Sequence, residues 1–402
     1  MTSRTIFLFL SLLLVAGCGD TPNEPTPDPI TISIAGVEDG ARYTSAVTID
    51  IATSRGTYSA ELDGETFLSG QSVAEVGTHT LVVTARDRGE TATASVTFEI
   101  AFEGSSTLIV RMLDLGENEA GGGGDAILLT DSAQGVQLHA LVDAGPAGVD
   151  GSDPGYVADR LQDLGVTRLE ALILTHAHSD HFDGIPAVLN AMAVERFVYN
   201  GQVRTYSGYT SVVSQARSAA DTVIVPTALV PLALSGEGGT VITVIPPITS
   251  YLDDPSAESA ELNEGSVGAA VTRGAFSMFM TGDGEVEANG RWRRDFGSLS
   301  QDVDVLKVGH HGANDAIFDN GYSGSSAWLD HTDPDILLIS ANGSTHPRHN
   351  ALTKILGRSN TRAYCTNVHG EIQMRVDPNG EVRVDVQKNA EMDCEAGSQA
   401  TS

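Results

Sequence analysis

The segment Ala171–Pro186, ALILTHAHSDHFDGIP, is the feature that most constrains the fold of this chain. Its apolar run predicts a buried strand, and the glycine and proline at its end predict a loop followed by a helix. Side chains alternate along a strand, so His176 and His178 point the same way and can bind one cation. Asp180 and His181 lie in the turn, offset toward a second cation beside the first.

Other metal-type side chains follow apolar runs further along the chain. Asp143 ends LHALVDAG, Asp283 ends AFSMFMTGD, and His310 and His311 end DVDVLKVGHHG. Metal ligands must converge from distant strand ends, so we expect these residues beside the histidine cluster. A turn role before a glycine is the alternative for Asp143 and Asp283. Spacing does not decide which of His310 and His311 binds.

The pattern His176-Ala-His178-Ser-Asp180-His181 resembles the HxHxDH signature of the metallo-β-lactamase superfamily. Across about residues 107–386, seven motifs in this order resemble the metallo-β-lactamase-like domain of ComEC-type DNA-uptake proteins: LDLGENEAGGGGDAILL, LVDAG, THAHSDHFDG, NEGSVGAAV, MTGDGE, LKVGHHG and ISANGSTHPRH. The resemblance implies an αββα sandwich and a metal-dependent hydrolase that cleaves phosphodiesters with a metal-bound hydroxide.

The resemblance also implies roles for single residues. Asp143 supports the histidines, and Asp283 bridges two metal ions. Zn²⁺ or Mn²⁺ suits such ligands, as one ion or two. The implied metal ligands are His176, His178, Asp180, His181, Asp283 and one of His310 and His311.

Three residues are predicted to take part in catalysis itself: Asp180, His346 and Lys307. The resemblance makes His346 and Lys307 candidates for contact with the phosphate or the leaving group. One departure stands out, because no histidine occurs between His181 and His310, where related hydrolases carry a further ligand of the first metal. Asn263 or Ser266 is the expected replacement, and a single-metal enzyme is the alternative.

Residues 1–17 resemble a bacterial lipoprotein signal, with a basic start, an apolar stretch and small residues before Cys18. We therefore expect an exported protein with lipid on Cys18, held at the outer membrane or cell surface. A secretory signal in which Cys18 is incidental is the alternative. Residues 18–29 are rich in proline and predict an extended tether.

The domain prediction has three further parts. Short alternating strands over residues 30–103 predict a small Ig-like β-sandwich, which we interpret as a spacer or adhesion module. Residues 105–388 form the predicted α/β hydrolase domain, and residues 389–402 a C-terminal tail. Cys365 and Cys394 remain as an even pair in an exported chain, which predicts a disulfide.

The formal net charge of −30 bears on the substrate, since it opposes non-specific attraction to nucleic acid and anionic membranes. A substrate phosphodiester would rely on the metals and a local basic patch at Arg291, Arg293 and Arg294. Our first hypothesis is a lipid-anchored phosphodiesterase or nuclease acting on nucleic acid or another phosphodiester. The alternatives are a hydrolase of amides or lactones, including β-lactams, and a non-catalytic surface binding protein.

Overall fold

The structure is a computed structural model that describes residues 28–43, 47–73, 77–100, 107–116, 123–133, 136–147, 155–234, 239–378 and 380–400. The predicted signal at 1–17, Cys18 and most of the tether lie outside the described residues. Within these ranges, no helix has the length and apolar character needed to cross a membrane.

The described chain forms two compact units. One contains the described residues up to Gly40, Thr48–Ser72 and His79–Thr97, and the other contains Ala41–Val47, Val73–Thr78 and the described residues from Phe98 onward.

The segment up to residue 100 contains only strands among its described elements. Burial alternates along the third of them, where Val47, Ile49 and Ile51 are buried and the residues between them are exposed, as expected for a sheet with one apolar face. The five strands predicted here are present, whereas the Ig-like assignment stays a prediction. The strands are β1 Ile32–Ala35, β2 Arg42–Tyr43, β3 Val47–Thr53, β4 Thr57–Leu62, β5 Glu65–Thr66, β6 Gln71–Val73, β7 Gly77–Asp87 and β8 Glu90–Ile100, in sheets of order β1-β3-β6 and β2-β8-β7-β4-β5.

The second unit is built on two large sheets. The further strands are β9 Thr107–Met112, β10 Ile127–Ala133, β11 Val136–Val142, β12 Arg168–Leu169, β13 Ala171–Leu174, β14 Ala193–Val194, β15 Arg196–Tyr199, β16 Thr222–Ile224, β17 Val230–Ala233, β18 Val241–Ile245, β19 Gly268–Arg273, β20 Phe276–Met280, β21 Val305–Lys307, β22 Ile336–Ile339, β23 Arg362–Cys365, β24 Ile372–Val376 and β25 Val382–Val386. One sheet has the order β16-β15-β13-β11-β10-β9-β24-β25 and the other β17-β18-β19-β20-β21-β22-β23, while β12 and β14 pair separately.

Helices connect these strands and cover the sheets. They are α1 Tyr156–Asp163, α2 Ser179–Phe182, α3 Ile185–Ala191, α4 Ser207–Ala219, α5 Ser259–Glu264, α6 Val286–Asp295, α7 Gly297–Ser300, α8 Ala327–Thr332, α9 His349–Leu356 and α10 Thr366–His369, with short 3₁₀ turns at Thr249–Tyr251 and His310–Gly312.

Successive side chains of a strand point to opposite faces of its sheet, so the apolar residues of one strand pack in two different cores. In β13, Ala171 and Ile173 join the core between the two sheets, whereas Leu172 and Leu174 pack in the core that includes α1, α3 and α4. In β22, Leu338 faces the core between the sheets and Leu337 faces the core with α6, α8 and α9. The order of layers is therefore helix, sheet, sheet, helix, which is the αββα arrangement that the resemblance implied.

Parallel pairing places the site. Strands β11, β13 and β15 run parallel in the first sheet, and β20, β21 and β22 run parallel in the second. Loops that follow parallel strands emerge at the same edge of a sheet, where ligands of open α/β sheets bind. The residues after β11, β13, β20, β21 and β22 can therefore meet at one edge of the sandwich.

Candidate metal centre

The first group of possible ligands contains His176, His178 and Asp283. Each offers one ligand atom, and these atoms lie within 4.8 Å of one another. His176 Nε2 is 2.9 Å from His178 Nδ1 and 3.8 Å from Asp283 Oδ2. The two histidines thus face the same place, as the alternation along an extended segment predicts, and an aspartate from the other sheet completes the group.

The second group contains Asp180, His181 and His311, again within 4.8 Å of one another. His311 Nε2 lies 3.3 Å from Asp180 Oδ2 and 3.3 Å from Asp283 Oδ2. His181 Nε2 lies 3.2 Å from the same oxygen of Asp283. Oδ2 of Asp283 consequently lies near both groups, in a position suited to the bridging role that the resemblance implied.

The structure separates the two adjacent histidines. His311 is buried in the second group, while His310 Nδ1 lies 3.0 Å from Glu285 Oε1 and 3.2 Å from Asp315 Oδ1. Both residues have left-handed backbone, with φ of 43° and 53°. His311 therefore belongs to the second group of possible ligands, and the side chain of His310 belongs to a neighbouring acidic cluster. This difference favours His311 as the metal ligand, and the assignment stays a prediction.

Asp143 holds the imidazole of His181 in place. Its Oδ2 lies 2.7 Å from His181 Nδ1 and accepts a hydrogen bond of 2.7 Å from the Thr175 hydroxyl, and its Oδ1 accepts the Thr175 backbone N–H at 2.8 Å. A carboxylate that accepts the Nδ1 proton leaves Nε2 as the metal-binding nitrogen. Asp143 has φ of 56°, in a region that side chains rarely adopt and that recurs at functional sites.

Lys307, which was predicted to contact the phosphate or the leaving group, lies inside the sandwich beside Asp283. Its side chain is fully buried; Nζ donates to the Gly282 carbonyl at 2.8 Å, pairs with Asp125, and lies 3.6 Å from Asp283 Oδ1. In this position the ammonium group helps to hold Asp283 in place, and its contact with a phosphate or leaving group stays a prediction.

Asp125 is a residue that the sequence reasoning missed. It pairs with Lys307 and accepts the Ser340 hydroxyl, and its carboxylate lies 3.7 Å from His311 Nδ1. Metal-type residues were expected just after strands, whereas Asp125 lies just before β10. The sequence signal was the run of glycines before Asp125. In the structure a Cβ at Gly124 would lie 2.1 Å from the Asp180 carbonyl oxygen, so this loop passes close to the ligand loop.

The unpaired atoms at the centre fit a divalent cation. His181 Nε2, His311 Nε2 and Asp283 Oδ1 are buried without a hydrogen-bond partner. Burial opposes charge on His311, but Asp283 and Asp180 outweigh it and raise its pKa to about 9. The buried carboxylates favour a positive charge, and the imidazole nitrogens beside them lack hydrogen-bond partners. A bound metal ion would supply both the charge and the partner.

Asn263 and Ser266, the expected replacements for the missing histidine, are both buried. Asn263 and Ser266 are each 1% exposed, and Asn263 Oδ1 and Ser266 Oγ have no hydrogen-bond partner. Asn263 Nδ2 donates to Glu285 Oε1 at 2.6 Å. Both oxygens are available as ligands or acceptors, and the replacement of the missing histidine stays a prediction.

His346 lies at the edge of the centre. Its ring centroid is 5.4 Å from that of His310 and 6.1 Å from that of His311. Burial, followed by the positive charge of His311 and His310, lowers its pKa to about 3. A neutral imidazole at this place can contact a phosphate or leaving group through a ring nitrogen.

Two arginines of the predicted basic patch make contacts within the protein. Arg291 donates to the Pro246 carbonyl at 2.5 Å, and Arg294 pairs with Asp295 at 2.8 Å. With Arg293, these residues lie in the second half of α6, away from the end of the helix that follows Asp283.

The cysteine prediction is confirmed, since Cys365 and Cys394 form a disulfide. It connects the last residue of β23 to the tail, 29 residues further along the chain.

Comparisons with known proteins agree with the motifs. Over 214 residues the chain is 28% identical to ComE operon protein 3 of Bacillus subtilis (strain 168), an alignment that covers 52% of this chain and 25% of that protein. The chain therefore matches only about a quarter of that relative's length.

Several solved structures are also similar. CmlA beta-hydroxylase E377D mutant has a TM-score of 0.39 and 12% identity, over 79% of this chain and 75% of that one. A diphosphatase from the PhnP family has a TM-score of 0.37 and 10% identity, over 67% and 98%. Zn²⁺-bound PqqB from Methylobacterium extorquens has a TM-score of 0.33 and 15% identity, over 55% and 79%.

The family model described as the metallo-beta-lactamase superfamily matches residues 121–266, the segment that carries the HxHxDH motif. Its signature residues meet Asp283 and His311 in one buried centre. The part of the chain that carries the motif is therefore similar to the metallo-β-lactamase superfamily.

Proposed function

We propose that the protein is an exported, lipid-anchored phosphodiesterase that acts on nucleic acid or another phosphodiester outside the cytoplasm. One observation carries the chemical part of this proposal. Oδ2 of Asp283 lies between two ligand groups, 3.8 Å from His176 Nε2 and 3.3 Å from His311 Nε2. A pair of cations sharing one carboxylate suits the in-line displacement at a phosphorus atom.

The residues of the chain have distinct tasks in such a reaction. Bound Zn²⁺ or Mn²⁺ would supply a Lewis acid and lower the pKa of water toward about 7. Asp143 keeps His181 oriented, and Lys307 with Asp125 keeps Asp283 oriented, so that few groups need to reorganise during the reaction.

His346 is suited to contact the phosphate or the departing oxygen. It lies beside His310 and His311 at the edge of the centre, and its pKa of about 3 leaves it uncharged at neutral pH. A neutral ring can donate an N–H to a phosphoryl oxygen without adding another buried charge.

Phosphodiester hydrolysis is favoured over amide or lactone hydrolysis by the residues in which this chain departs from β-lactamase-type hydrolases. The further histidine of the first site is replaced at Asn263 or Ser266, and the HHG and HPRH motifs match the ComEC-type pattern. The anchor rests on the lipoprotein-type sequence before Cys18.

A side-by-side assay tests the reaction. The metal-loaded protein is incubated with single-stranded DNA, bis(p-nitrophenyl) phosphate and a β-lactam. We expect cleavage of the phosphodiesters and an intact β-lactam. Hydrolysis of the β-lactam without phosphodiester cleavage would reject the proposal in favour of amide hydrolysis.

The variant Asp180→Ala identifies the site in the same assay. Asp180 belongs to the second ligand group, so its removal should abolish phosphodiester cleavage while the domain stays folded. Full activity of this variant, and of His181→Ala, would show that the reaction takes place elsewhere.

A further inference from the structure

An open cavity lies beside α4, in the chain segment that follows β15. Its volume is ≈ 570 Å³, and the residues that line it include Gln202, Arg204, Tyr209 and Arg217. Its other lining residues carry hydroxyl groups or are valines, and none of the lining residues is acidic. This is unusual for a chain with 53 acidic and 23 basic residues.

Two residues that line this cavity have hydrogen-bond donors without a partner. Tyr209 is 1% exposed and its hydroxyl makes no hydrogen bond. Arg204 is half-buried, and its Nε and Nη1 are also buried without a partner. Native structures rarely leave such groups unpaired, so a ligand that accepts hydrogen bonds fits this place.

Neighbouring contacts keep the cavity in shape. Gln202 Nε2 donates to the carbonyls of Tyr251 and Leu252, each at 3.0 Å, which fixes the orientation of the amide. Arg217 Nη1 donates to the Tyr199 hydroxyl at 2.7 Å, which holds this second guanidinium at the wall. Gln202 and Arg217 are therefore already positioned at the wall of the cavity.

We propose that this cavity binds a phosphoryl group. A carboxylate presents two oxygens in one plane, whereas a phosphate presents three or more in different directions. Arg204, Tyr209 and Arg217 belong to different positions around the cavity and suit the second arrangement. The two guanidinium groups supply the charge, and no carboxylate in the lining opposes an anion.

The cavity adjoins the metal centre but is separate from it. The Tyr209 ring packs edge-on against Phe182 with centroids 5.3 Å apart, and Phe182 directly follows His181. None of the possible metal ligands lines the cavity. This inference goes beyond the proposed reaction and does not depend on it.

Calorimetric titration of the full chain tests the cavity. Treatment with a chelator empties the metal centre, so that metal ions cannot bind the anion. The probes are inorganic phosphate, thymidine 5′-monophosphate, thymidine and acetate. We expect binding of both phosphorylated probes and none of thymidine or acetate. Tighter binding of the monophosphate identifies a nucleotide as the ligand, and equal binding identifies free phosphate.

Three variants complete the test. Arg204→Gln should weaken phosphate binding about 10-fold or more, and Tyr209→Phe, which removes one hydroxyl, about 5-fold. Arg383→Gln removes the same charge from an exposed position in β25 and should leave binding unchanged. No phosphate binding at millimolar concentration, acetate binding as tight as phosphate, or wild-type affinity in both cavity variants would overturn the proposal. Tyr209→Phe keeps the test valid if Arg204→Gln does not fold.

Discussion

At the scale of single residues, the two adjacent histidines after β21 have different surroundings. His311 Nε2 is buried and without a hydrogen-bond partner beside Asp180 and Asp283, whereas His310 lies with Glu285 and Asp315. His311→Ala should therefore weaken metal binding by more than about 100-fold, since even partners of metal ligands contribute about 10–100-fold. Metal content after dialysis, measured by atomic emission, checks this.

The matched control is His310→Ala, which removes the same side chain one residue away. It should retain bound metal, and circular dichroism should show both variants folded. Equal metal loss in the two variants would contradict the assignment of His311.

At the scale of elements, the start of α6 is bound by a buried carboxylate. Glu264 accepts the backbone N–H groups of Glu287 and Ala288 at 2.9 and 2.7 Å, two of the donors that a helix leaves unpaired at its first turn. Burial raises the pKa of Glu264 from 4.5 to about 7, and the charges of Glu285 and Glu287 act in the same direction while the two N–H groups oppose it.

This raised pKa predicts a pH dependence of stability. The folded protein holds the Glu264 proton more tightly than the unfolded chain, so the stabilisation is complete below pH 4.5 and is lost as pH rises through about 7. Relative to Glu264→Gln, which stays neutral, the wild type should lose about 3 kcal/mol at most between these limits. Urea unfolding of both proteins at pH 5 and pH 8 measures this difference. An equal change in unfolding free energy for the two proteins between these pH values would refute the prediction.

The disulfide between Cys365 and Cys394 acts on the last strand of the second sheet and the tail. It closes a loop with a sequence separation of 29 and should stabilise the folded state by about 3–4 kcal/mol. The double variant Cys365→Ser, Cys394→Ser should lose that amount in urea unfolding under non-reducing conditions. The expected control is the wild type with reductant, which should match the variant; an unchanged midpoint in both would contradict the prediction.

At the scale of the whole molecule, the proposed membrane location rests on the sequence of residues 1–18. Lipoproteins carry more than one acyl chain, and each buried methylene contributes about 0.8 kcal/mol to membrane binding. Cys18→Ser should therefore move the protein from the membrane fraction to the soluble fraction, as shown by immunoblotting after ultracentrifugation. Variant and wild type found equally in the membrane would reject lipidation at Cys18.

Much of the fold and the ligand set was predictable from local sequence. Continuous apolar runs identify buried strands, and metal-type residues at their ends identify the edge of the sheet that carries the site. Both signals are local, because each depends only on neighbouring residues. The HxHxDH motif places four side chains within six residues, so their proximity needs no tertiary information.

Three features were decided only by the tertiary structure. The left-handed turn at His310 and His311 sends one ring into the centre and the other toward Glu285. Lys307 is charged and close in sequence to the site, yet its burial beside Asp125 depends on packing of the two sheets. The anion cavity likewise depends on how Arg204 and Tyr209 pack, because sequence records which donors exist, whereas three-dimensional packing decides which of them lack a partner.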